Sequence, residues 1–287
     1  MFTGSIVALI TPLRNNIIDI KALEKIIEWQ INSGTDGILV CGSTGEGLLL
    51  NDDEREEIIS TSISIANGRA KIIVGCSACS TTEAIKLVNQ AEKLKADGVL
   101  VIAPYYVKPT QEGIKEHFAS IHNNSNIPII MYNNPGRCAI NMTAETIADL
   151  AQKDRIVALK DSDINLAKAT LIRRKVSESF SLLSGDDSTL AGYLAHGGNG
   201  AISVIANVEP YLVKKMISAW KNGDINAMQN INEKLTPLNS ALFVEPNPIP
   251  VKYVLYKKGF IANELRLPLT PVSQKAMETI DFILSEF

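Results

Sequence analysis

The chain has few cysteines, few histidines and no long apolar run. It contains 4 cysteines and 3 histidines among 287 residues. Four cysteines are too few to hold a chain of this length together by disulfides, so we expect free thiols in a reducing compartment, the cytoplasm. The apolar stretch from Ile6 to Ile10 is too short to cross a bilayer and follows no basic segment, so it is interpreted as a first strand. Neither export nor a membrane role is predicted.

Excess charge of one sign is also absent. The formal net charge is -3, and no run of Lys and Arg alternates with aromatic residues, so a nucleic-acid partner is not expected. The histidines His117, His122 and His196 fall in or beside helical segments and suggest no Ser-His-Asp triad. Cys76 and Cys79 form a CSAC element without a second Cys or His pair at metal-ligand spacing, so no metal site is predicted. Cys41 and Cys138 follow strand ends, and we expect all four thiols toward one face.

What the chain does contain is a repeated alternation of apolar runs and amphipathic helical patterns. Each run is followed by a turn signal, and continuous rather than alternating hydrophobicity is typical of parallel strands buried on both faces. The runs are SIVALI from Ser5, GILVCG from Gly37, KIIVGC from Lys71, GVLVIA from Gly98, IPIIMY from Ile127, RIVALK from Arg155, FSLLSG from Phe180 and AISVIA from Ala201.

Eight such units predict an α/β fold, a (β/α)8 TIM barrel over residues 1–208. Residues 209–287 read as a helical extension packed on the barrel, interrupted by EPNPIP (245–250) and LPLTP (267–271). Asn51 with Glu54, and Ser80 with Glu83, have the spacing of helix capping boxes. An open doubly wound sheet is the structural alternative, but its G-x-G-x-x-G signature is absent.

Catalytic side chains of such barrels project from the carboxyl ends of the strands. Lys160 ends an otherwise apolar strand, where desolvation favours the neutral amine that attacks a carbonyl. Tyr132 ends the preceding strand, so its phenol should lie beside Lys160 and could pass protons. Arg137 offers a planar fork for a substrate carboxylate. Taken singly, each also has a plain interpretation: a solvent-reaching lysine, a rim tyrosine and a surface ion pair.

The GSTGEG turn (42–47) follows the second run. Its glycines permit a tight turn whose N–H groups can converge on an anion, and Ser43 and Thr44 add hydroxyl donors. Most short Gly/Ser/Thr turns merely connect elements, and Glu46 is interpreted as a local cap or ion-pair residue.

Taken together, these motifs make the chain resemble the 4-hydroxy-tetrahydrodipicolinate synthase (dihydrodipicolinate synthase) family over essentially its whole length. The matching stretches are FTGSIVALITP, GSTGE, PYYVKP, YNNPGR, LSGDD, FVEPNPIPVK and LRLPLTP. The resemblance implies a lyase that condenses pyruvate with L-aspartate 4-semialdehyde in diaminopimelate and lysine biosynthesis. It also implies no metal or organic cofactor and a homotetramer built as a dimer of dimers.

The resemblance further assigns roles residue by residue. Lys160 would form the imine, and a proton relay would run through Tyr132, Ser43 and Tyr106, the last donated across a dimer interface. The substrate-binding positions would be Thr44 for the pyruvate carboxylate, Arg137 for the semialdehyde carboxylate, and Gly185 and Ile202 in the pocket wall.

Three departures from the family pattern affect these expectations. Ser43 stands where threonine is usual and lacks the methyl that fixes the rotamer. After Lys160 the chain reads DSDIN rather than EATGN or EASG, which puts the surrounding contacts in doubt. At the possible regulatory site, where relatives bind lysine, Glu83 and Tyr105 match. The positions that do not match are Leu48, Arg55 and Cys79. The Arg55 cation should repel a cationic ligand, so we predict weak or absent lysine inhibition.

Two rival functions stay open. N-acetylneuraminate lyases and 2-keto-3-deoxy-sugar-acid aldolases share the lysine, the tyrosine and the Gly-rich turn, but Arg137 suits an acceptor with its own carboxylate. A noncatalytic barrel that binds a keto acid is the rival from another class.

Overall fold

The computed structural model describes residues 2–287, and their strands form a closed parallel barrel. The ten strands are β1 (Gly4–Ala8), β2 (Leu13–Arg14), β3 (Ile17–Ile18), β4 (Gly37–Val40), β5 (Lys71–Gly75), β6 (Gly98–Ile102), β7 (Ile129–Asn133), β8 (Ile156–Asp161), β9 (Ser181–Ser184) and β10 (Gly200–Ser203). Eight of them form the barrel in the order β1-β10-β9-β8-β7-β6-β5-β4, so each barrel strand lies beside the barrel strands before and after it in the chain, and β10 closes on β1. The predicted TIM barrel is therefore confirmed.

Alternate residues of each barrel strand face opposite sides, and both sides are apolar. On β1, Ile6 belongs to the cluster inside the barrel, whereas Val7 belongs to the outer cluster, which also includes Ile26 and Ile27 of the first helix. This two-sided burial explains the continuous apolar runs. The interior cluster consists of Phe2, Ile6, Ala8, Leu39, Ile73, Leu100, Ile102, Ile130, Tyr132, Cys138, Ala158, Leu183 and Ile202.

Helices connect successive strands and cover the barrel. The Asn51–Glu54 capping box is present with both reciprocal hydrogen bonds, whereas Ser80 accepts only from the Glu83 N–H. The helices are α1 (Ile20–Asn32), α2 (Asp52–Ala66), α3 (Thr81–Lys93), α4 (Gln111–Asn123), α5 (Pro135–Cys138), α6 (Ala144–Leu150), α7 (Leu166–Arg173), α8 (Leu190–Ala195), α9 (Pro210–Lys221), α10 (Ile225–Ala241), α11 (Ile249–Lys257) and α12 (Gln274–Glu286).

The strands β2 and β3 form a small antiparallel hairpin that the apolar pattern did not reveal. Its two turn residues, Asn15 and Asn16, have φ values of 54° and 62°. Left-handed backbone at both central positions is what a two-residue type I′ hairpin requires, and Asn is one of the few residues that tolerates it. The Asn15-Asn16 pair was therefore the feature of the sequence from which this hairpin could have been predicted.

After β10 the chain is mainly helical, as predicted. The EPNPIP segment runs into the start of α11, and the LPLTP segment falls before α12. Helix α9 contacts β1 and α10. The division into residues 1–208 and 209–287 stays a prediction. Within residues 2–287, no helix combines the length and apolar character needed to cross a lipid bilayer.

Candidate active site

Lys160 and Tyr132 lie side by side at the carboxyl end of the barrel. They are register partners on β8 and β7, and the Lys160 Nζ lies 4.4 Å from the centroid of the Tyr132 ring. Both side chains are buried; Lys160 is only 6% exposed. The sequence prediction that the two would be neighbours is confirmed, because adjacent βα units placed their strands next to each other.

The Tyr132 phenol has an unusual electrostatic environment. Burial disfavours its ionised form, but the Lys160 charge, the hydrogen bond from Asn134 and the nearby Ser162 hydroxyl together outweigh burial, so its pKa lies below the ordinary value. Asn134 Nδ2 donates to the phenol oxygen at 2.7 Å. The amide thus holds the phenol oxygen in place and leaves the phenolic O–H free to donate, while the lowered pKa makes its proton easier to release.

Gly185, on the loop after β9, leaves room for the lysine side chain. A Cβ at this position would lie 3.0 Å from Lys160 Cε and 2.3 Å from Ser162 Oγ. Ser162 Oγ in turn donates to the Gly185 carbonyl at 2.9 Å. The missing side chain is therefore a requirement of the Lys160 position, which agrees with a pocket-wall role.

The GSTGEG turn and the end of β8 border one cavity of about 70 Å³. Its lining includes Ser43, Thr44, Tyr132, Lys160 and Gly185. Thr11 Oγ1 donates to the Gly45 carbonyl at 2.7 Å and holds the turn from the first βα loop.

Asn247 was not among the residues expected at the site. It lies in the EPNPIP segment, interpreted from sequence only as a helix break, yet its Nδ2 donates to Thr44 Oγ1 at 2.9 Å. Its carbonyl accepts from Arg137 Nη2 at 3.0 Å. The Asn247 Oδ1 is buried and has no hydrogen-bond partner within residues 2–287. One residue thus contacts both proposed carboxylate-binding side chains, and no periodic pattern could have identified it.

Glu46 does not pair locally, so that interpretation was wrong. Its carboxylate accepts from Lys252 Nζ of α11 at 2.5 Å, and both side chains are buried, 1% and 0% exposed. The second carboxylate oxygen accepts from the Arg266 backbone N–H at 3.0 Å. Burial lowers the pKa of the Lys252 ammonium, and the Glu46 charge opposes that shift.

The DSDIN stretch after Lys160 forms a polar network behind the site. The buried Asp161 carboxylate accepts from Asn133 Nδ2 at 2.7 Å and lies 3.6 Å from Lys168 Nζ. Lys168 Nζ also lies 3.3 Å from the Asp163 carboxylate. Burial raises the pKa of Asp161, although Lys168 and Asn133 oppose the increase. The altered sequence therefore still ties the ends of β7 and β8 together.

Two expected site residues do not line the cavity within the chain. Tyr106 is 88% exposed, with a φ of 68°. Ile202 is buried in the barrel interior with Tyr132, whereas Val204 lines the cavity. The cavity contains its lysine, its neighbouring tyrosine and its carboxylate-binding candidates, but not Tyr106.

The residues proposed for regulation do lie together. Glu83 and Tyr105 line a second cavity with Arg55 and Cys79. Arg55 is itself buried, and its Nη2 donates to the Gly75 carbonyl at 3.0 Å. A cation is therefore already built into the wall of this cavity.

The cysteines follow strand ends at the same end of the barrel. Burial raises the pKa of Cys41 to about 11, of Cys76 to about 12 and of Cys138 to about 11. These three thiols are accordingly protonated at neutral pH, whereas Cys79 is exposed. Within residues 2–287, no group of three or more His, Cys, Asp or Glu side chains is placed to hold a metal ion.

A buried lysine beside a phenol at the mouth of a (β/α)8 barrel defines the class as an aldolase-type lyase. Residues 1–287 match the dihydrodipicolinate synthetase family, and the chain belongs to that family.

The relatives are similar over their full lengths. A 4-hydroxy-tetrahydrodipicolinate synthase of Rhizobium meliloti is 46% identical over 282 residues, which cover 98% of this chain and 97% of the relative. The solved structure of dihydrodipicolinate synthase from Aquifex aeolicus has a TM-score of 0.97 and 42% identity, covering 99% of this chain and 98% of its own. A chloride-inhibited dihydrodipicolinate synthase from Acinetobacter baumannii, complexed with pyruvate, has a TM-score of 0.97 and 37% identity, covering 100% and 99%.

Proposed function

We propose that this chain condenses pyruvate with L-aspartate 4-semialdehyde through a Schiff base on Lys160, giving 4-hydroxy-tetrahydrodipicolinate for diaminopimelate and lysine biosynthesis. The observation that carries the proposal is the buried Lys160 in register with Tyr132, with Gly185 leaving space for its side chain. Membership of the dihydrodipicolinate synthetase family supports the choice of substrates.

The reaction begins at the Lys160 amine. The neutral amine attacks the pyruvate carbonyl, and the resulting carbinolamine loses its hydroxyl as water to give the imine. Tyr132 is 4.4 Å away, measured from Nζ to the ring centroid, and is suited to donate and take back the protons of these steps. Ser43 would extend this relay. Thr44 holds the pyruvate carboxylate while this occurs.

Carbon–carbon bond formation follows from the imine. Loss of a methyl proton gives an enamine, whose carbon attacks the semialdehyde carbonyl, and the aldehyde oxygen is protonated to a hydroxyl. The substrate amine then adds to the imine carbon and displaces Lys160, which closes the ring and regenerates the free enzyme. Arg137 is suited to bind the semialdehyde carboxylate through two parallel hydrogen bonds.

We infer that the active form is a homotetramer in which Tyr106 completes the relay of a neighbouring copy. Its 88% exposure and positive φ support an outward-directed role rather than one inside its own barrel. Substituting Tyr106→Phe should slow imine formation, and mixing it with Lys160→Met should restore some activity through sharing of intact residues. Mixed samples no more active than the two variants alone would contradict the shared site.

A cytoplasmic location stays a prediction.

Trapping with borohydride tests the imine. The protein is incubated with pyruvate and borohydride, digested, and mapped by mass spectrometry. We expect one adduct on Lys160 and none in Lys160→Met. The same treatment of Lys168→Met, which removes the neighbouring buried lysine, should leave the adduct in place. An unmodified Lys160 in the wild-type protein would contradict the mechanism and favour a keto-acid-binding barrel.

Initial rates with different acceptors separate the proposal from the sugar-acid aldolases. Aspartate semialdehyde should react much faster than N-acetylmannosamine or glyceraldehyde. Arg137→Met should raise the KM for the semialdehyde while leaving the rate of pyruvate imine formation unchanged, because only the acceptor has a carboxylate at that position. Preference for a sugar aldehyde would reassign the enzyme within the superfamily.

A further inference from the structure

The catalytic turn and the C-terminal helices are joined through a buried ion pair. Glu46 lies two residues after Thr44 in the GSTGEG turn, and Lys252 lies within α11, 206 residues away along the chain. Both side chains are excluded from solvent, and their charged atoms are 2.5 Å apart. The same C-terminal segment reaches Thr44 itself, since Asn247 donates to its hydroxyl.

The backbone around Glu46 has little conformational freedom. Glu46 has a φ of 54°, a left-handed conformation that a glutamate adopts only when its surroundings hold it there. A Cβ at Gly47 would lie 1.9 Å from the Cys41 carbonyl oxygen, so the turn is packed directly against the end of β4. Contacts to the Glu46 carboxylate therefore act on a rigid, strained segment.

Simple stabilisation is a poor account of this pair. Burying two charges costs desolvation energy, and apolar replacements of buried pairs are often neutral or stabilising. The pair instead fixes the orientation of the Glu46 carboxylate. One of its oxygens accepts a hydrogen bond from Lys252 Nζ, and the other accepts from the Arg266 backbone N–H at 3.0 Å. Two fixed contacts orient the carboxylate and, through it, the backbone of the turn.

We propose that Glu46 and Lys252 are positioning residues: their buried pair sets Ser43 and Thr44 against the pyruvate-binding cavity from the C-terminal helices. The inference rests on the proposed function, since it uses the roles given there to Ser43 and Thr44. Breaking the pair is expected to impair the pyruvate half of the reaction and to spare the semialdehyde half, because neither Glu46 nor Lys252 contacts Arg137, whose Nη2 donates to the Asn247 carbonyl.

The test compares Glu46→Gln, Lys252→Met and the double variant in the full-length protein. We expect each single variant to lower Tm and to raise the KM for pyruvate on the order of tenfold, with slower borohydride-trappable imine formation at Lys160. The KM for aspartate semialdehyde should change little. The double variant has no unpaired buried charge, so it should regain most of the lost Tm.

The double variant separates positioning from stability. A positioning role predicts that the KM for pyruvate stays raised although Tm recovers, because the oriented contact is still missing. Recovery of both Tm and the pyruvate KM would overturn the proposal.

The matched control is Lys258→Met, which breaks a more exposed ion pair, 2.8 Å long, between the end of α11 and Glu209 at the start of α9. It should leave both KM values unchanged; the same pyruvate defect in this control would count against a specific role for Lys252. Wild-type protein that forms no adduct at Lys160 would instead overturn the proposed function and this inference with it.

Discussion

Adding one methyl group at Gly185 is expected to change the position and reactivity of Lys160 more than the stability of the fold. The Cβ of Gly185→Ala would lie 3.0 Å from Lys160 Cε and 3.1 Å from the Asp161 carbonyl, where ordinary contacts begin at 3.4 Å. Lys160 therefore has to withdraw by about 0.4 Å or more, and Ser162 Oγ, 2.3 Å from the new carbon, has to rotate away.

The two consequences differ in size. Overpacking of this kind costs about 1–3 kcal/mol of unfolding free energy. Because a catalytic group misplaced by 1 Å can cost about a hundredfold, we expect imine formation with pyruvate to slow by roughly 10- to 100-fold. Single-turnover trapping with borohydride measures the rate, and thermal unfolding measures the stability.

The control and the refuting result follow from the same geometry. Gly113→Ala adds a methyl at the start of α4, where the nearest atom is a Pro109 side-chain carbon 3.2 Å away, and should leave the imine rate unchanged. If Gly185→Ala forms the imine within about twofold of the wild-type rate, the close approach to Lys160 has no catalytic consequence and our reasoning is refuted.

Three further predictions concern the substrate clamp, proton transfer and regulation. Asn247→Asp should raise the KM for pyruvate about tenfold or more, since it removes the donor to Thr44 and adds a negative charge near the substrate carboxylate; an unchanged KM in steady-state assays would contradict this. Burial raises the pKa of Tyr132, and the Lys160 charge is the largest of the effects that together lower it below its ordinary value, so tyrosinate absorbance should appear at lower pH in the wild type than in Lys160→Met. A titration that coincides in both proteins would remove Lys160 as the cause. L-lysine should inhibit weakly or not at all because the Arg55 cation lines the cavity; inhibition at low micromolar lysine would show the reverse.

The fold could be predicted because its signals are local. Continuous apolar runs indicated buried parallel strands, and each run corresponds to a strand of the barrel. Helix starts were predictable for the same reason, although Ser80 forms only one of the two bonds of a capping box. The β2–β3 hairpin was missed because its strands have two residues each, too short for any periodicity.

Part of the candidate site follows from strand order. Once Tyr132 and Lys160 end consecutive strands of a barrel, the topology makes them neighbours, as their register confirms. The sequence could not indicate that Asn247 reaches Thr44, a contact between residues 203 positions apart. Nor could it indicate the partner of Glu46, which had been assigned to a local contact.

The sequence by itself therefore determined the number, order and burial of the eight barrel strands, and with them which strand ends share the mouth of the barrel. Only the tertiary structure decided which side chains of the C-terminal extension reach that mouth. The physical reason is that hydrophobic periodicity reports the environment of each element separately, whereas the Lys252–Glu46 and Asn247–Thr44 contacts depend on how distant elements pack.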